Sequence, residues 1–155
     1  MNIFVTSQSP YKCAKYLDNK RLIKMCLETA QILSTALVLN GCKNQQLYKP
    51  THINHPCAKW VRQTKRNYLW SLAHFNALCE EYNRRYGKIH ASFRLFKTFV
   101  ENKNILPHGK LTKFPNCAAN QKLGIDFKHL PVFTAYRMYL FERFKLDKHP
   151  PICKI

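Results

Sequence analysis

Apolar residues recur at helical spacing along most of the chain. Leu22, Cys26, Ala30, Leu33 and Leu37 fall three or four apart, so they share one face of a helix. That helix is expected over about residues 11–39, behind a turn or cap at residues 7–10. Asn40-Gly41 supplies its stop. The stretch before it, "MNIFVTS", is short, apolar and reads as extended. A second stripe of Val61, Tyr68, Leu72, Phe75, Cys79 and Tyr82 predicts a helix over about residues 56–85, closed at Tyr86-Gly87. Pro56 suits its first helical position, with Asn54 as the cap behind it. Residues 42–55 are polar, contain Pro50 and read as a loop.

Phe93, Phe96 and Val100 mark a shorter third helix. Residues 104–123 carry Pro107, Gly109 and Pro115 and read as irregular. Leu130-Pro131 opens a last helix through Tyr136, Tyr139, Leu140 and Phe144, and the basic tail "DKHPPICKI" ends the chain. No repeat or linker interrupts the pattern. The expectation is all-α: one compact domain over residues 1–155, with about four helices and long loops.

Charge changes this picture most. Twenty-six Lys and Arg face eight Asp and Glu, for a net +18. Split after Cys79, the halves hold eleven cations against two acids and fifteen against six, so each carries +9. The excess belongs to the fold and is not a detachable tail. Such a field attracts polyanions, nucleic acid first. The plain alternative is a basic protein kept soluble by its charge. No apolar run approaches the roughly 20 residues of a membrane span, and the start lacks the pattern of a signal peptide. The expectation is a soluble protein, cytoplasmic or inside a host cell, with nucleic acid as partner and no membrane.

Seven cysteines form no C-x-x-C pair. Cys26 and Cys79 fall on helical apolar stripes and read as small buried hydrophobes. His52, His55 and Cys57 lie close in sequence and raise zinc, but no second paired ligand set accompanies them. No metal and no cofactor are therefore expected.

The stretch "KYLDNKRLIKMCLETAQIL" poses the sharpest question. Its only acids are Asp18 and Glu28, with Lys20, Arg21 and Lys24 between them. Arg21, Lys24, Glu28, Gln31 and Thr35 make one polar stripe opposite the Leu22–Cys26–Leu33 face. As a solvated face it holds one Lys24–Glu28 pair worth roughly 0.3–0.5 kcal/mol. As a site it is more unusual. A carboxylate beside bound phosphates repels DNA unless it acts on a sugar or base. Near a sugar it steadies the positive charge that develops at C1′ when a base leaves, and it moves protons in later steps.

This stretch, with its Glu ten residues after the Asp of "KYLD", resembles the N-terminal region of the pyrimidine-dimer DNA glycosylase family, the phage endonuclease V type and its bacterial relatives. "GCKNQQLYKPTHINHPCAKW" is similar to that family's Tyr-then-His-Pro segment, at Tyr48 and His55-Pro56. "NYLWSLAHFNALCEEYNRRYG" is similar to its next helix. The likeness covers roughly residues 1–90. It implies a helical enzyme that flips a nucleotide out of the duplex. The N-terminal α-amine attacks C1′ to give a Schiff base, a Glu assists, and β-elimination cuts the backbone. An α-amine, with a pKa of about 7.7–8.0, keeps a neutral fraction at pH 7 that an ordinary Lys lacks. The Glu carries over onto Glu28. Asn2 is bulky for methionine aminopeptidase, so the amine is assigned to Met1. Lys20 or Lys24 as substitute nucleophiles, or an attacking water, are the alternatives.

In that family basic residues here hold phosphates, which makes Lys20, Arg21 and Lys24 candidates for DNA contact. Lys59, Arg62, Lys65 and Arg66 form a basic band on the first turns of the second long helix, where free N–H groups also welcome phosphate. His55 is read as a cap, a phosphate contact or a catalytic assistant, the cap first. Trp60 and Trp70 read as core. Tyr48, Tyr86 and Phe114 are the better stacking candidates, with core packing as the plainer reading. Glu80 and Glu81 read as ordinary helix electrostatics. Three rivals stay open: the same fold acting on a modified base, a non-enzymatic nucleic-acid-binding module, and a metal-dependent nuclease, the last disfavoured by the absence of a paired carboxylate motif.

Overall fold

The structure is a computed structural model that describes residues 1–147. It is mostly helical, with six α-helices where the sequence suggested about four: α1 (Pro10–Tyr16), α2 (Asn19–Leu39), α3 (Pro56–Gln63), α4 (Lys65–Tyr86), α5 (Phe96–Glu101) and α6 (Val132–Lys145). A two-stranded antiparallel ribbon, β1 (Ala119–Asn120) with β2 (Ile125–Asp126), precedes α6. The basic tail from residue 148 onward, including Cys153, lies outside the described residues.

Both long expected helices are broken once. The first breaks at Leu17, whose backbone is extended (φ −73, ψ 141). No Gly or Pro marks the spot. A tertiary contact holds it: Arg85 of α4 donates to the Leu17 and Lys15 carbonyls at 2.8 and 3.3 Å, taking up groups that α1 leaves free at its end. Arg85 is itself braced at 2.7 Å by Glu81, which is buried. Glu81 therefore does more than ordinary surface electrostatics. The second break is at Thr64, extended at φ −141, whose hydroxyl accepts the Asn67 N–H at 3.1 Å and caps α4.

The other stops match expectation. Asn40 caps α2, with Gly41 following at φ +94. Gly87 ends α4 in the left-handed region. Ser9 caps α1 ahead of Pro10.

α4 packs against α1 and α2, and α3 lies against both long helices. One continuous apolar core runs from Ile3 to Phe144 and includes Tyr68, Phe75, Phe99 and Tyr136, all fully buried. α2 corrects one expectation: an 18-residue stretch of it has mean hydropathy 1.5, long and apolar enough for a membrane span by length and composition. That stretch is 61% buried within the fold, as suits a core helix.

The irregular segment after α5 crosses the α3–α4 junction. Pro107 accepts from Lys65 N at 2.7 Å, Lys110 accepts from the Thr64 hydroxyl at 3.0 Å, and Thr112 N donates to Asn67 at 2.9 Å. Gly109 is required there, because a Cβ would sit 2.7 Å from the Thr64 methyl. This crossing delivers Cys117 to the start of α3.

Candidate active site

The chain start is pinned from both sides. Ile3 and Val5 are fully buried. Asn2 folds back on its own backbone: its Oδ1 accepts from Ile3 N at 2.8 Å and Phe4 N at 3.3 Å, and its Nδ2 donates to the Cys117 carbonyl at 3.4 Å. Phe4 then sits at φ +44, an uncommon conformation for a bulky residue. Its ring packs on Tyr139 (6.0 Å, stacked) and edge-on to Tyr136 (6.1 Å), which offsets the strain.

Met1 is thereby held in the wall of a cavity of about 330 Å³. Glu28, Lys24, His55 and Cys117 line the same cavity, as do Lys20, Arg21 and Arg143. The extended start returns across α2, and the chain's first residue and Glu28 share one space. The Glu28 side chain is only 14% exposed and pairs with Lys24 at 3.2 Å. The supposed solvated stripe is thus largely covered except at Lys24, and its last member, Thr35, is fully buried.

The candidate cations fall into three groups. Lys20 and Arg21 are tied up: Arg21, 8% exposed, binds Asp18 at 3.0 Å and Asp147 at 2.8 Å with the Phe144 ring beneath it, and Lys20 reaches Asp147 at 3.2 Å. This corrects the reading of Arg21 as solvated charge on an exposed stripe. Two carboxylates neutralise it, and Arg21 holds the Asp147 carboxyl below the usual range. Lys24 is exposed and serves Glu28. The third group lies outside the cavity. Lys59 and Arg62 line a larger hollow, about 700 Å³, with Trp60 and Pro115. That hollow holds neither an acid nor the chain start, so its size does not make it the better site for this chemistry. Arg62 also holds the Ile53 carbonyl at 2.7 Å, and Lys65 holds Asn104 at 2.7 Å. Arg66 is exposed.

His55, not Asn54, caps α3. Its Nδ1 accepts the Cys57 N–H at 3.1 Å, while Asn54 is exposed. Burial, then the charge of the chain's amino terminus, pull its pKa below the ordinary histidine value, against an opposite pull from Glu28. This favours the neutral form, which the cap bond requires because Nδ1 acts there as an acceptor. Beside it, Cys57 donates to Cys117 across 3.9 Å. That hydrogen bond lowers the Cys117 thiol to about 7, helped by Tyr136, and together with burial raises the Cys57 thiol.

Arg143, Tyr139 and Cys117 come from residues the sequence reading left unassigned. Helical spacing marked Tyr139 as apolar core, and nothing in the pattern tied any of the three to the chain start. Trp60 and Trp70 are core, as expected, and Phe114 joins them at 5.0 and 4.9 Å. Tyr48 bonds Ser92 at 3.1 Å beneath Arg94, and Tyr86 packs on Tyr82.

A largely covered carboxylate and Met1 in one cation-walled cavity fit an enzyme acting on a polyanion. The comparisons with known proteins agree. A family model for pyrimidine dimer DNA glycosylases matches residues 1–95, well over half of the chain. The chain belongs to that family. Its reaction class is accordingly that of a DNA repair glycosylase, with DNA as substrate. No curated protein and no solved structure matches it.

Proposed function

We propose that this chain excises cyclobutane pyrimidine dimers from double-stranded DNA and then cuts the backbone as an abasic-site lyase. It acts as a monomer, with the Met1 α-amine as nucleophile and Glu28 as the assisting carboxylate. One observation carries the reading: Met1 and Glu28, distant in sequence, line one cavity walled by cations.

The chemistry follows from that juxtaposition. The amine nitrogen attacks C1′ of a flipped nucleotide, and the bond from C1′ to the base breaks. The base keeps the electron pair and takes up a proton, and it stays joined to its dimer partner through the cyclobutane ring. Opening of the sugar gives a protonated Schiff base, which makes the C2′ proton acidic. Loss of that proton breaks the C3′–O bond and releases the phosphate. Glu28 steadies the charge at C1′ and then moves protons. Its low exposure strengthens this effect, because little water screens it. Lys24 at 3.2 Å orients the carboxylate. A volume of about 330 Å³ suits entry of a flipped nucleotide. The band of Lys59, Arg62, Lys65 and Arg66 holds the duplex backbone, with Lys20, Lys24 and His55 nearer the sugar.

The test is an end-labelled duplex bearing one thymine dimer, beside the undamaged duplex. Cutting at the dimer alone, lost in Glu28→Gln, is expected. A folded wild type that binds the damaged duplex and leaves it intact would overturn the reading.

A further inference from the structure

The sequence alone offered His52, His55 and Cys57 as a metal set and no further ligand. The fold changes the set. His52 is exposed, and its Nδ1 lies 2.8 Å from the Thr51 hydroxyl. Cys117 arrives from the crossing segment in its place. A ligand atom from each of His55, Cys57 and Cys117 lies within 4.8 Å of the other two.

We propose that His55, Cys57 and Cys117 bind a zinc ion in the wall of the cavity that holds the chain start. Three features of the geometry support this. The first is spacing. Zn–S bonds of about 2.3 Å at tetrahedral angles place two sulfurs about 3.8 Å apart, and the Cys57 and Cys117 sulfurs are 3.9 Å apart.

The second feature is rigidity. Cys57 is in the first turn of α3 and His55 is its cap. Cys117 is fixed through its backbone: its N–H donates to the Tyr136 hydroxyl at 3.1 Å, and its carbonyl accepts from Asn2. The ligands are therefore held close to their places before any metal binds.

The third feature is donor chemistry. Two thiolates and an imidazole select zinc over magnesium or calcium, which prefer oxygen. His55 and Cys117 both line the cavity, so water can complete a fourth position. Binding releases both thiol protons to solvent and forms two Zn–S bonds and one Zn–N bond. If the imidazole binds through Nδ1, it gives up the cap bond to Cys57 N, one weak bond for a stronger one. The metal would tie the start of α3 to the segment that contacts Asn2. It would thus brace the chain start whether or not the proposed lyase chemistry is correct.

The experiment uses the full reduced chain and needs no DNA. Cobalt(II) takes zinc's place and reports thiolate ligation by charge-transfer absorption, and tetrahedral geometry by intense visible bands. Both signals are expected to saturate at one equivalent and to be bleached by one equivalent of Zn²⁺. Cys117→Ser and Cys57→Ser should each weaken cobalt binding at least tenfold, while Cys42→Ser, outside the cluster, leaves it unchanged. Circular dichroism checks that each variant is folded, and the wild-type titration stands even if Cys57→Ser fails to fold. A folded wild type without the charge-transfer band, or bands unchanged in Cys117→Ser, overturns the assignment.

Discussion

The two basic regions of this protein are built differently. Around the cavity every cation taken from α2 has an acid: Lys20 and Arg21 share Asp147, Arg21 also holds Asp18, and Lys24 holds Glu28. Three of the chain's eight acids are spent there. Along the α3–α4 band, Lys59, Arg62, Lys65 and Arg66 form no ion pair with a carboxylate among the described residues. Their partners are a carbonyl and an amide where they have one. A net charge of +18 hides this contrast. The band is free to bind phosphate, while the cavity uses its charges to position one another. On the proposed function, the band would supply the electrostatic attraction and the cavity the chemistry.

The contrast can be broken in order of expected size. Glu28→Gln should lower cutting of dimer-bearing DNA by about 10²–10⁴-fold. DNA binding should be kept or slightly tightened, because a like charge is removed. Gel-shift and strand-cutting assays on one preparation check both. Arg21→Ala should cost about 3 kcal/mol of stability, since it leaves the largely buried Asp18 carboxylate unpaired and Asp147 with Lys20 alone. Thermal unfolding should show a shift of roughly 10 °C, and a shift of a degree or less would mean that Arg21 is an ordinary surface cation.

A core residue outside both regions supplies the next effect. His74 is fully buried without a hydrogen-bond partner, and burial lowers its pKa to about 3 from 6.5. The unfolded chain takes up a proton below pH 6.5 that the folded chain refuses until about pH 3. Stability is therefore complete above pH 6.5 and is lost as pH falls, by about 2 kcal/mol at pH 5. Denaturant titrations at pH 7 and pH 5 should show that loss in the wild type and little of it in His74→Leu.

The smallest effects separate the two surfaces directly. Lys59→Ala and Arg66→Ala should each weaken duplex binding several-fold and reduce the salt slope by about 0.9. Cutting at saturating DNA should not change. Lys20→Ala, already paired with Asp147, should move the slope less. Equal slopes for Lys20 and Lys59 variants would erase the distinction between the regions.

Much of the helical pattern was legible because helix faces must be apolar where they meet. The Leu22–Leu37 stripe and the Tyr68–Cys79 part of the second stripe proved to be core, with Tyr82 half-buried against it. The breaks at Leu17 and Thr64 were not legible in the stripes, since the apolar spacing runs through them. Thr64 is a residue type suited to capping, but an unbroken stripe gave no reason to place a cap there, and the Leu17 break depends on Arg85, some seventy residues away. Glu28 stood out because an acid among cations is costly near DNA. Arg21 was misread because its second partner, Asp147, is remote in sequence. Cys117 could not be paired with Cys57 from spacing, since only the path of the crossing segment joins them.

The central claim of the proposed function is that the Met1 amine, which shares a cavity with Glu28, is the nucleophile. Borohydride added during reaction with a dimer-bearing duplex reduces any Schiff base to a stable bond. Proteolysis and mass spectrometry of that adduct then identify the attached residue. The account predicts DNA linked to the amino group of the N-terminal peptide, with the adduct much reduced in Glu28→Gln. An adduct on Lys20 or Lys24, or cutting without any trapped species, would contradict it.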